Sequence, residues 1–488
     1  MKKNDTSAKY PESSHWYHRS ALRLCIALAL AGNALVVWAA DPGTDSRSSP
    51  PAQFIHQLLP QTKVDAMVGL INFSYLNHGH SQEDTHANAV GGHVYIHSPQ
   101  WYGLSVGVAA NFATWTGFYL HNDPELTGPY PSHGMAALRN AYLQAHYGPV
   151  VLRGGRLFIQ TPYANMDYYT FSPRAFTGIA AVIDVIGGAR TSRWSGTGPL
   201  QLAGSPATLS VFAGRMYSYE SRYSPEFTTG NRYSSTHNNG FYVLGARYAG
   251  ELLGNPFALQ AWYYNFYGFS TLFYGQANLR HPLSSGQSLF AGFQVVSQGT
   301  SGTGGYLPEL NASSVRAEVY GAKLGYAFND NLDSVALVYN YSPVNYNAFR
   351  HGGMLHPYND LSGTLYTTTM QTGISDYGPG FAYGITSNFS LLARKLQVSA
   401  SFIRYLVRYG FGGSVYTYDG AYGFPTGEAI PNQNLWSMDV GFSYDLSSLL
   451  KGLTVADYTD ISVAGNRAGY PHYNNPYFSN RFYFKYHF

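Results

Sequence analysis

Six basic side chains, Arg153, Arg247, Arg280, Lys323, Arg481 and Lys485, lie in stretches where apolar and polar residues alternate, each on the face opposite the apolar one. A guanidinium offers a planar fork of donors that matches a carboxylate and stays charged, so a row of such groups suits stepwise passage of organic anions. The plainer alternative is that each pairs with Asp or Glu and serves only hydration. Arg156 is counted with the row on the strength of Gly154-Gly155, because without a bulge there it shares a face with Leu152 and points away. Asp184 is a lone acid within Val182-Ile183-Asp184-Val185-Ile186, and Tyr163, Asp167, Tyr168 and Tyr169 form an acidic-aromatic cluster suited to narrowing an opening. Other chemistries are poorly supplied. The 17 histidines are scattered; His93 and His97 share a strand face but stand about 13 Å apart at that spacing, and His78 with His80 offers at most a weak divalent-ion site. The chain after its first segment has no GxSxG elbow and no strand that sets Ser and His on one face near a rim, so a hydrolase is disfavoured. No cofactor is expected.

A row of this kind needs a frame with one dry and one wet face, and the last nine residues have that pattern. Phe482, Phe484, Tyr486 and Phe488 alternate with Arg481, Tyr483, Lys485 and His487. A chain ending on an aromatic residue after such alternation resembles the closing strand of a bacterial outer-membrane β-barrel, which implies that barrel-assembly machinery reads Phe484, Tyr486 and Phe488 as its insertion signal. At the other end, Lys2, Lys3, Lys9, Arg19 and Arg23 precede an apolar run from Leu24 to Trp38, the pattern of a secretory signal peptide over 1–39. That run is too short for a spanning helix. It contains Cys25, the one cysteine, so the mature chain is expected to lack disulfides and thiolate sites.

Only 11% of residues are charged, 16% are aromatic, and 44 are Tyr and 53 Gly. Soluble domains carry about 25% charged residues, so little of this surface is built for water. No mature segment offers a long apolar run, which excludes a helical membrane protein. Taking the five basic and two acidic residues of 1–39 from totals of 29 and 26 leaves 24 of each sign, and this even balance gives no basic patch for nucleic acid.

Period-two alternation bounded by turn residues marks eighteen candidate strands from 66–74 to 480–488, after a linker over 40–65. Counted from the first, long connectors mostly follow odd strands and short ones even strands, the asymmetry of a barrel with short periplasmic turns and long outer loops. Two connectors dissent: 188–205 is long where it should be short, and 267–269 is the reverse. Sixteen strands with two misread segments is therefore an alternative. The expected fold is all-β: a transmembrane antiparallel β-barrel over 66–488, eighteen-stranded, enclosing an aqueous lumen narrowed by an inward-folded third outer loop. Asp184 must then face inward, since charge on the lipid face costs on the order of 2–4 kcal/mol near the midplane for Arg or Lys and somewhat less for Asp.

Residues 139–178 carry a family resemblance. They include Ala141-Tyr142-Leu143, the Gly148-Pro149 turn, Leu152-Arg153-Gly154-Gly155-Arg156, Thr161-Pro162, an acidic-aromatic loop around Asp167 leading to Phe171-Ser172-Pro173, and Ala175-Phe176-Thr177-Gly178. This stretch resembles the OprD-type outer-membrane porins, and Phe212-Ala213-Gly214-Arg215, Glu220-Ser221-Arg222 and the segment from Leu453 to Gly465 are similar in order and spacing. The resemblance implies a monomeric eighteen-stranded channel whose third outer loop folds inward opposite a wall of arginines. Thr170 stands where the family tends to have arginine, and 188–205 is an insertion. The expected function is passive, partly selective uptake of small solutes bearing carboxylates, such as amino or organic acids, with outer-membrane lipid, lipopolysaccharide and the assembly machinery as partners. A sixteen-stranded trimeric general diffusion porin is the alternative.

Overall fold

Alternation in the sequence becomes a sorting of side chains between two environments. Along β9 (Phe241–Leu252), Phe241 and Val243 are fully buried while Leu244 and Tyr248 are 50% and 38% exposed. The computed structural model describes residues 61–76, 85–116, 134–166, 170–187, 198–202, 208–222, 226–230, 239–283, 286–300, 314–329, 333–358, 364–370, 373–410, 430–465 and 477–488. The segment 1–39, most of the linker, and His78 and His80 lie outside them.

The strands are β1 (Lys63–Leu76), β2 (Thr85–His97), β3 (Leu104–Trp115), β4 (Met135–Tyr147), β5 (Val150–Leu157), β6 (Ala175–Ile186), β7 (Thr208–Glu220), the two-residue β8 (Phe227–Thr228), β9, β10 (Asn255–Phe266), β11 (Ser270–Pro282), β12 (Ser288–Thr300), β13 (Arg316–Ala327), β14 (Ser334–Ser342), β15 (Gly380–Leu391), β16 (Leu396–Gly410), β17 (Ile430–Asp445), β18 (Leu453–Gly465) and β19 (Tyr477–His487). Leaving out β8, which only touches the end of β7, eighteen strands pair antiparallel with their neighbours, and β1 closes on β19 through registers such as Phe73↔Arg481 and Met67↔His487. Closure leaves the wall no open edge. The wall begins three residues earlier than the sequence suggests, because Lys63, Val64 and Asp65 already pair with His97, Ile96 and Tyr95.

Both dissenting connectors are real features of an eighteen-stranded barrel, and the sixteen-stranded alternative falls. β10 and β11 are joined by Tyr267-Gly268-Phe269 alone, a turn that places Gly268 at φ +63°, and β6 and β7 are joined by 187–207. The outward face carries Leu259, Phe273, Phe293, Leu324, Leu337, Ile385, Phe402 and Val440, all exposed, as a wall immersed in hydrocarbon requires. Acids share that face at two places among the described residues: Asp457, opposite Phe482 and Phe442, accepts a hydrogen bond from Asn480, and Glu318, on the face of Leu324, accepts from the Tyr320 hydroxyl at 3.0 Å.

The core sits inside. Buried aromatic and aliphatic side chains from β4 through β17 pack against two loops that return into the barrel, L3 (158–174, after β5) and L7 (343–379, after β14).

Candidate functional site

L3 leaves the wall where β5 stops at Leu157, paired with Phe176. It turns back on itself through Thr161, whose hydroxyl donates to Ala164 O at 2.6 Å and accepts from Ala164 N–H at 3.2 Å. This turn carries Tyr163 across to the wall at β10 and β11. Tyr163 is 1% exposed, its N–H donates to Tyr264 Oη at 3.2 Å, and its ring meets those of Tyr264 and Tyr274 edge-on at 6.1 and 5.8 Å. On its other side His356 of L7 stacks 6.0 Å away with planes 7° apart. Further along L3, Phe171 packs against Ala87, Ala89 and Ala113, and Asn111 Nδ2 donates to Phe171 O at 3.0 Å. The third outer loop therefore folds inward, as the sequence implies. Asp167, Tyr168 and Tyr169 lie outside the described residues.

L7 is the second inward loop, and the sequence reading missed it. A backbone that leaves the wall must find partners for its own N–H and C=O groups, and polar side chains of the wall supply them. Gln298 on β12 exchanges two hydrogen bonds with Leu355, at 2.9 and 3.0 Å. Gln294 accepts from Tyr366 N–H at 3.2 Å, Asn340 on β14 accepts from Thr367 N–H at 3.0 Å, and Tyr405 on β16 donates to Thr367 O at 2.7 Å. Asp439 on β17 accepts from Met370 N–H at 2.8 Å. L7 thus straps the wall from β12 to β17, with one turn of helix, α1 (Ile374–Tyr377), before it rejoins at β15. Its Tyr358 is buried among Phe176, Tyr219, Phe241 and Phe266. Burial raises the phenols of Tyr358 and Tyr366 above the ordinary tyrosine range, so both stay neutral.

The basic residues divide. Arg247 shares the face of Phe241, Val243 and Ala249; it is half-buried. Arg280 stands near the end of β11, its Nε donating to Ser288 Oγ at 2.7 Å. Lys323 Nζ lies 4.7 Å from the Tyr366 ring centre, Arg481 packs over Phe73 at 5.5 Å, and Lys485 over Tyr483 at 4.6 Å. All five occupy inward positions. Asp184, 4% exposed, also faces inward and accepts from Ser210 Oγ at 2.7 Å.

Two residues depart from the expected row. The β4–β5 ladder runs without a register shift, so no bulge turns Arg156 around. It pairs with Ala141 on the outward face, donates to Leu138 O at 2.7 Å and lies over the Phe227 ring. Arg153 does face inward but is 2% exposed, bonded to Gln144 Oε1 at 2.7 Å and Gly198 O at 2.8 Å, with its guanidinium 4.5 Å over Tyr142. Conversely, Arg139 is fully buried, donates to Ser221 O at 2.6 Å and sits 3.5 Å from Glu220. Strict alternation would send Arg139 outward with Ala141 and Leu143. The register shift between Ala109 and Ala110 brings it to the same side as Asn140. Among the histidines, His93 bonds Asp65 at 2.8 Å, His97 faces Ser105 at 3.4 Å and His86 faces Ser74 at 2.9 Å, each engaged separately. The terminal strand is oriented as its alternation requires: Phe484 and Phe488 are 42% and 52% exposed on the outward face, with Tyr486 against Phe488 at 5.4 Å.

A closed antiparallel barrel of eighteen strands, apolar outside and narrowed inside by its own loops, is a transmembrane barrel with the architecture of a pore. Solved structures of the same fold agree. OccK9 (OpdG) of Pseudomonas aeruginosa superposes with a TM-score of 0.65 at 15% identity, over 87% of this chain and 98% of that one. A BenF-like porin from Pseudomonas fluorescens Pf-5 gives 0.65 at 12% identity, over 88% and 98%. OccK2 (OpdF) of Pseudomonas aeruginosa in complex with glucuronate gives 0.62 at 12% identity, over 87% and 97%. No protein-family model and no curated protein sequence matches the chain.

Proposed function

We propose that this chain is an OprD-type outer-membrane porin that lets small carboxylate-bearing solutes cross passively through a water-filled, loop-constricted channel. The observation that carries the reading is the pairing of two inward loops, anchored on polar side chains of the wall, with Arg247, Arg280, Lys323 and Lys485 half-buried on the inward face. Selection in such a pore comes from width and from the charges beside the narrow part. At an effective dielectric near 20, unit charges 4 Å apart attract by about 4 kcal/mol, against about 1 in bulk water. Confined basic groups therefore concentrate carboxylates, with arginine forks steering their approach. That one neighbour was solved with glucuronate supports this substrate class. Asp184 offsets part of the positive field at the periplasmic end. Phe484, Tyr486 and Phe488 serve as the assembly signal read by the barrel-assembly machinery, and outer-membrane lipid and lipopolysaccharide meet the outward face of a monomer.

Planar-bilayer recording of the purified chain tests the reading. It predicts discrete channel openings with a reversal potential on the anion side under a salt gradient. A folded, inserted barrel that conducts no ions overturns it.

A further inference from the structure

We propose that residues 198–202 of the β6–β7 connector are a built part of the constriction: they lie inside the barrel, bridged to L3 where it leaves the wall, and Arg153 is the positioning residue that holds them there. The connector starts and ends at the same edge as the Gly148-Pro149 turn, where Asp184 N–H donates to Pro149 O and Asp184 pairs with Ser210. Yet Leu200 is paired in parallel with Ile159 of L3, beyond the last wall residue of β5. Gln160 N–H donates to Leu200 O at 3.0 Å, and Leu200 N–H donates to Phe158 O at 2.9 Å. Leu200 is fully buried in one cluster with Ile159, Tyr163 and Ala164, and Leu202 packs against that cluster.

The physical need is plain. Once L3 turns off the wall at Leu157, Phe158 O and Gln160 N–H lose their ladder partners, and unpaired backbone groups in a packed interior are costly. The connector supplies both partners. Arg153, the last inward guanidinium below this point, then grips the connector's backbone at Gly198 while Gln144 and Tyr142 hold its other sides. A guanidinium enclosed in this way orients chain rather than presenting charge to passing solutes. Turns such as 253–254 and 392–395 at the same edge are too short to reach the lumen. This inference goes beyond the proposed function, although its effect on conductance presupposes that the barrel is a pore.

The experiment has two arms, both on the full chain with Cys25 replaced by Ser. In the first, Ile159→Cys and Leu200→Cys are combined and the folded barrel is oxidised in membranes. The pair should cross-link readily, and a folded barrel in which it stays reduced overturns the docking irrespective of transport. In the second, Arg153→Met is recorded in planar bilayers beside Gly198→Ala, a control at a position with open space for a methyl group. Loss of the grip should raise and roughen the conductance of Arg153→Met, leave its reversal potential unchanged and slow the cysteine cross-link, while Gly198→Ala behaves as the parent. A conductance that falls together with a reversal potential moving toward cations would make Arg153 a pore charge and overturn its positioning role.

Discussion

The two halves of the lumen are built from different chemistry. Where L3 and L7 meet, at Tyr163, His356 and Tyr358, the filling is aromatic, and its polar contacts are backbone groups held by Gln298, Gln294, Asn340 and Tyr405. Toward the periplasmic turns the inward face instead carries Lys323, Arg280, Lys485 and Asp184, of which Lys323 still reaches the Tyr366 ring of L7. In the proposed function, width is set in the first region and charge in the second. The proposed division has a physical reason: neutral groups can be packed dry at low cost, whereas a charge packed dry needs compensation. The ion pair of fully buried Arg139 with Glu220 obeys that rule.

The contrast can be broken by removing one region at a time. Deleting Tyr163 to Thr170 strips the loop that crosses the lumen and should raise single-channel conductance several-fold with little change in ion preference. An unchanged conductance would put L3 outside the permeation path. Replacing Arg247, Arg280 and Lys323 with Gln should do the opposite, moving the reversal potential toward cations and slowing carboxylate uptake while sugars pass as before; equal losses for all solutes would mean these residues only hold the barrel open. Glu220→Gln leaves Arg139 buried beside a neutral partner, and breaking such a pair costs about 3–5 kcal/mol. Lower heat resistance of the folded barrel in gel-shift assays checks this, and an unaltered melting profile would show that the pair contributes nothing. The smallest effect is expected from Tyr264→Phe, which removes the acceptor of Tyr163 N–H, worth about 1 kcal/mol. Openings should become noisier at unchanged mean conductance. Phe488→Ser serves as a control for both regions, lowering the amount of inserted barrel without altering the properties of the channels that form.

The wall was legible because a barrel strand is alternation, and alternation is written residue by residue, as in Met438, Val440 and Phe442 against Ser437, Asp439 and Gly441. Both connectors that broke the length pattern were faithful to the structure; the fault lay in treating the pattern as a rule. L7 was illegible because an inward loop has no period. Its trace in sequence is a long connector with only Arg350, Asp360 and Asp376 charged, facing strands whose inward positions hold Gln and Asn. Arg139 was missed because the β3–β4 ladder bulges at Arg139 itself and resets its face, and Arg156 was misplaced because no bulge exists where two glycines invited one. Burial separates Arg153 from Arg247, and alternation carries no information about burial within the inward face.

The most direct test of the central claim is tracer uptake into proteoliposomes of two solutes matched in size, gluconate and a neutral sugar alcohol, through the unmodified chain. The account predicts that gluconate enters faster, and that the margin shrinks as salt screens the basic face. Equal rates at low salt, or a preference for the neutral solute, would contradict it.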